Sequence, residues 1–190
     1  MSIDLKKILG IHNEINAQTD RGAAIIAAAI LDDALEDALR TRLILTASLS
    51  DRIFSSENGP LARFSAKIDI AAATGLLPKE MCDGIHLVRR IRNKFAHSIE
   101  PLKFADQEIS AWAKSLHVGI DKIDKVDDIR LRFTLFSVGM VIALLLFAKV
   151  PALKIVPVKE LPSNTEITGQ FAWAAIEYVG IVVSQSQKPA

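Results

Sequence analysis

The sequence predicts an all-α protein, an up-and-down bundle of helices, on three observations. Half of its 190 residues are hydrophobic while only 6% are aromatic. The apolar content is therefore mainly Ala, Ile, Leu and Val, which suit closely packed helices. Apolar positions recur three and four apart, as in Ile30, Leu31, Ala34, Leu35 and Ala38, and no segment alternates with period two. Gly59-Pro60, Gly75, Pro78 and Pro101 punctuate the chain at intervals of helix length.

Taken in order, a first helix is expected over residues 4–17. Asp20 is suited to cap a second, long helix over 20–47, whose polar side carries Asp32, Asp33, Glu36, Asp37 and Arg40. Glu36 and Arg40 form an i,i+4 pair of favourable order. Ser55, Ser56, Glu57, Asn58, Gly59 and Pro60 make a loop. A helix over 61–74 follows, stopped by Gly75. Pro78 opens the next helix, which reaches about residue 96. A short helix is expected over 106–117 and a strongly apolar one over 128–149. Pro151, Pro157 and Pro162 make 150–163 an irregular connector. Ser163 and Glu166 then form a capping box for a last helix over 165–183. The whole reads as one helical domain, 1–184, with a flexible tail over 185–190.

Composition excludes several classes of function. The 23 basic and 22 acidic residues leave a net charge of +1, so no global field draws in nucleic acid or anionic lipid. Cys82 is the only cysteine, which excludes an intramolecular disulfide and fits a reducing, cytoplasmic setting. Residues 1–16 are too charged for a signal peptide. Residues 133–148 form a run of 16 without a charge. A spanning helix needs about 20 apolar residues, so the run is expected to be a buried central helix and not a membrane segment.

One stretch concentrates positive charge. Between Asp83 and Glu100 there is no acid, while His86, Arg89, Arg90, Arg92, Lys94 and His97 follow one another. Within it, Arg92-Asn93-Lys94-Phe95-Ala96-His97 has an Arg, a polar residue and a His five positions after the Arg. That pattern resembles the signature of the HEPN-like helical proteins. Around it, Gly59-Pro60-Leu61-Ala62-Arg63-Phe64-Ser65-Ala66-Lys67-Ile68 and Gly75-Leu76-Leu77 resemble the mannitol operon repressor family (MltR, also written MtlR). The resemblance continues through Ile91 to His97 and on to Phe104, Asp106 and Glu108. It spans residues 58–109, about a quarter of the chain.

The resemblance implies a helical, dimer-forming regulator of sugar-alcohol operons that lacks a helix-turn-helix and works mainly through protein contacts. A homodimer, a regulatory protein partner and operator DNA are the partners it implies. The basic stretch itself offers Arg89, Arg90 and Lys94 as nucleic-acid contacts. The HEPN likeness implies an alternative, a metal-independent ribonuclease acting on RNA through Arg92, Asn93 and His97. Its chemistry is sound in principle. A histidine with a pKa near 6.5 suits proton transfer at the 2′-hydroxyl. An arginine offers fixed donors to a phosphate that gains charge. One His cannot easily serve as both base and acid, so a two-fold dimer would supply the second.

A helical projection at about 100° per residue sets the two readings against each other. It places Arg92 about 20° from Ile85, on the face shared by Met81, Val88 and Phe95, and so towards packed surface. Arg92 is then expected to pair with one of Asp32, Asp33, Glu36 or Asp37. Arg92 and His97 fall about 140° apart. They converge only if the helix ends before His97 or across two chains. Arg63 and Lys67, four apart, either extend the basic patch or solvate their own helix. His12, His86, His97 and His117 have no ligand spacing, and the acids at 32–37 read as a solvated helix face, so no metal and no cofactor are expected. There is no Gly-rich phosphate loop and no nucleophile elbow.

Overall fold

The computed structural model describes residues 5–55, 58–117 and 126–148. Among them are seven helices and no strand. These are α1 (Leu5–Asn16), α2 (Asp20–Arg42), α3 (Ala47–Phe54), α4 (Phe64–Ala73), α5 (Lys79–His97), α6 (Gln107–Lys114) and α7 (Ile129–Phe147). The all-α expectation holds. The expected connector at 150–163, the last helix and the tail lie outside the described residues, as does the domain boundary at 184.

Local chemistry explains most boundaries. Thr19, not Asp20, caps α2, its Oγ1 accepting from the Gly22 amide at 3.2 Å. Asp20 is the first helical residue and has a tertiary role instead. It pairs with Arg130 at 2.8 Å and accepts from the Phe104 amide at 3.0 Å, which ties the starts of α2 and α7 to the loop before α6. The expected helix over 20–47 ends at Arg42. Leu43 is extended, and Thr46 caps a separate helix, α3, by accepting from the Leu49 amide. Gly75 stops α4 as expected. At φ 63° it allows a Schellman turn, with Leu76 N bonded to Ala71 O and Gly75 N to Ala72 O.

The core lies where α2, α5 and α7 meet. α2 packs on α7, α5, α4 and α1, and α7 packs on α2, α1, α6 and α5. Cross-links give the directions. Arg21 Nη2 donates to Ser98 O at 2.9 Å, so α5 ends beside the start of α2. Lys94 meets Glu108, and Arg132 Nη2 donates to Leu116 O at 3.0 Å, so α5, α6 and α7 run antiparallel in turn. Phe95, Phe104 and Phe133 stack in series at 5.1 and 4.9 Å, filling the corner between α5 and α7. α7 is the one helix among the described residues long and apolar enough to cross a membrane by length and composition. In the fold its Phe133, Phe136, Met140 and Leu144 are buried in the bundle, as expected of a central helix.

Two contacts set how closely the helices approach. Gly84 of α5 faces Phe136 of α7, and a β-carbon at 84 would stand 2.4 Å from Phe136 Cζ. The neighbouring Cys82 is buried on the same helix, and burial, helped by Asp83 and Asp69, pushes its thiol up to about 11. On the other side of α2, Lys67 of α4 is buried and its ammonium reaches Asp32 at 2.8 Å and Glu36 at 2.6 Å. Arg40 completes the cluster on Glu36 at 2.7 Å and lies over the Phe54 ring at 4.3 Å, which holds α3 in place. The i,i+4 pair of Glu36 and Arg40 is as expected. The buried Lys67 corrects its reading as part of a patch or a solvating residue.

Burial pushes the Glu36 carboxyl up, but hydrogen bonds and charge from Lys67 and Arg40 outweigh it and hold it below the usual range. Burial pulls Lys67 down, and its bonds to Asp32 and Glu36 outweigh that and hold its ammonium above its usual value. A depressed carboxyl contributes stability above its unfolded pKa and loses it as pH falls through the folded one. A raised ammonium contributes stability below its unfolded pKa and loses it as pH rises through the folded one. The cluster therefore stabilises fully between about pH 5 and 10 and weakens on either side.

Two outcomes follow from these contacts. Gly84→Ala should destabilise by about 1–3 kcal/mol through overpacking, and adding Phe136→Leu should recover part of that in urea melts. Lys67→Met should cost about 2 kcal/mol, below the full penalty for a broken buried pair because Asp32 and Glu36 keep 30% and 24% of their side chains exposed. Its melting temperature should also fall less between pH 6 and pH 3 than that of the wild type, since Glu36 then keeps only Arg40 to hold its carboxyl down.

Candidate functional site

The basic stretch lies on α5, and the structure divides it. Arg90 and Lys94 are one turn apart and face α6. The Arg90 guanidinium lies 4.1 Å over the Trp112 ring, and the Lys94 ammonium pairs with Glu108 at 2.5 Å. Both are exposed, yet both fix α6 to α5. Arg89 points about 100° away from Arg90, towards α2 and α4. The expected nucleic-acid set of Arg89, Arg90 and Lys94 is thus not brought together on one surface.

Arg92 corrects the projection. It is exposed, and its Nη1 donates to Asn93 Oδ1 at 2.9 Å; it pairs with no acid of α2. The reason is twofold. Lys67 already occupies Asp32 and Glu36. Around Arg92, α2 presents Ile25, Ala28 and Ala29 beside the already paired Asp32, and α4 is just beginning, so that part of α5 is walled but not covered. What remains is an open depression of about 410 Å³.

Three arginines line it: Arg89 and Arg92 from α5, and Arg63 from the N-terminus of α4. Asn93 and Ser65 add polar groups, and Ile25 and Phe64 join the two alanines as apolar wall. Arg63 does extend the basic group, as one sequence reading allowed. Asp32 is the only acid in the lining, and it is held by Lys67. Arg89 is half-buried, its Nε shielded from solvent without an acceptor. Arg63 caps α4 by position only, since no side chain bonds to the first-turn amides.

His97 is the last residue of α5 and is exposed. The helix runs through it, so within one chain Arg92 and His97 stay about 140° apart. Asn93, half-buried, accepts from Arg92. His86 meets Asp69 at 3.1 Å, linking α5 to α4. Among the described residues no three His, Cys, Asp or Glu gather as metal ligands would. The depression itself escaped the sequence reading. Its one legible signal was Arg63, placed at a helix start by the preceding Gly59-Pro60 loop.

Because both side chains are exposed and carry no tertiary bond, Arg92→Ala and His97→Ala should each change stability by no more than about 0.5 kcal/mol. Chemical melts of the two variants check this. A large loss in Arg92→Ala would return that side chain to the core.

No protein-family model matches the sequence, and no curated protein matches it. Among solved structures, the chain is similar to one in the X-ray structure of the MtlR–HPr complex from Escherichia coli, with a TM-score of 0.59 and 16% identity. The match covers 72% of this chain and 97% of that one. At that identity the likeness is one of fold: this chain is folded as an MtlR-like helical protein.

Proposed function

We propose that this protein is a transcriptional regulator of the mannitol operon repressor type, acting without a helix-turn-helix and mainly through contact with another protein. The observation that carries the reading is the fold match along nearly the whole of a chain solved in the MtlR–HPr complex. By analogy of fold, the partner is a protein of the HPr kind. The protein works as a cytoplasmic homodimer, and operator DNA is a secondary partner. Protein contact is favoured over nucleic acid because Arg90 and Lys94 are already engaged with α6, and because a net charge of +1 holds no polyanion at a distance.

A ribonuclease built on Arg92, Asn93 and His97 is the second reading. It is favoured only by the exposure of Arg92 and His97, which leaves both free to meet across two chains. Two assays on the purified protein separate the readings. Calorimetric titration with HPr from the same genome should give saturable binding, and its absence would remove the proposed partner. Single-stranded RNA incubated with excess EDTA should remain intact. Cleavage that disappears in His97→Ala would replace the regulator with the nuclease.

A further inference from the structure

We propose that the depression between α2, the start of α4 and the second half of α5 binds the phosphate group of a small molecule, with Arg63, Arg89 and Arg92 as its counter-charges. The inference rests on the depression alone and stands whether or not the protein is a regulator.

Charge balance is the first argument. Lys67 and Arg40 carry two positive charges and Asp32 and Glu36 two negative ones, and these four are paired among themselves. The three arginines are surplus to that neutral cluster. No carboxylate among the described residues pairs with any of them, and the sole bond of the group is the neutral one from Arg92 to Asn93. Three like charges converging on one concavity repel each other unless an anion lies between them. Guanidinium groups also present the forked donors that phosphate oxygens accept.

Donor satisfaction is the second. Arg89 Nε is out of reach of solvent and has no acceptor. Arg89 therefore brings to the wall of the depression a guanidinium that no acceptor of the described residues engages. The first turn of α4 borders the same space with its amides uncapped by any side chain. Free amides and the positive end of the helix dipole add to an anion site already formed by the arginines.

Shape decides the class of ligand. At about 410 Å³ the depression is larger than a phosphate needs and falls within the range of small-molecule sites. Beyond the arginines, Ile25, Ala28, Ala29 and Phe64 give an apolar stretch of wall, Asn93 and Ser65 add neutral polar groups, and the one carboxylate, Asp32, is paired with Lys67. A phosphate monoester fits this division, its charge on the arginines and its carbon part on the alanines. A nucleic-acid backbone asks for something else, a track of several free cations. The cations that would continue such a track, Arg90 and Lys94, are turned to α6.

The test titrates the full chain at constant ionic strength with inorganic phosphate and, separately, with phenyl phosphate, following melting temperature and heat of binding. Both ligands should give a saturable heat of binding and raise the melting temperature, by roughly 5 °C or more at a hundredfold excess over Kd. Tighter binding of phenyl phosphate identifies an ester as the natural ligand, and equal binding identifies free phosphate; either sustains the proposal. The double variant Arg63→Ala with Arg92→Ala should lose at least tenfold in affinity. In chloride it should melt no lower than the wild type, since both side chains are exposed and like-charged. An equal rise in wild type and double variant overturns the proposal. So does no rise in the wild type, or stabilisation by a single-stranded oligonucleotide alone.

Discussion

The pairing of one buried ammonium with two carboxylates governs this side of the molecule. Lys67 sits under α4 with almost no exposure and meets Asp32 and Glu36, one turn apart on α2. A cation in that position is tolerable only because both partners are in place. The geometry therefore sets α4 against α2 at one register. That register carries the first turn of α4 to the level of Ala28 and Ala29, so Arg63 arrives beside Arg89 and Arg92. It also uses up the acids that might have drawn Arg92 inward.

Much of the fold was legible because its signals are local. Helix-period apolar spacing, the Gly75 stop, Pro78 before α5 and Pro101 after it are read within a few residues of where they act. The corner that carries the family resemblance is legible in hindsight too. Phe104 lies between Phe95 and Phe133, and Glu108 pairs with Lys94, so the resembling positions bind α5, α6 and α7 together. What failed was competition between near-equivalent neighbours. Thr19 and Asp20 are both good caps, and tertiary demand from Arg130 and the Phe104 amide took Asp20 away from capping. The break after Arg42 has no glycine or proline to announce it.

The misplacement of Arg92 has the same origin. A helical projection reports which residues share a face of one helix, and it says nothing of what stands opposite each point along that face. Ile85 and Val88 are covered, whereas at Arg92 α2 and the beginning of α4 stand back to leave an open depression. Apolar spacing along α5 is the same in both places. The choice of Lys67 over Arg92 as the buried cation depends on α4, a helix whose own sequence gives Lys67 no distinguishing mark. A basic run in sequence likewise became two surfaces in space, because Trp112 and Glu108 captured alternate members of it.

Cys82 lies one turn from the start of α5, sealed in the packed face beside Gly84, with its thiol pushed up to about 11. A thiol so placed is doubly silent at neutral pH, since reagents neither reach it nor find it as thiolate. It becomes reactive only in molecules whose fifth helix has lifted from the bundle. The chain thus carries a native reporter of its own breathing. The rate at which Cys82 is alkylated in folded protein, with no label or chromophore added, counts the openings of the helix that also presents Arg89 and Arg92.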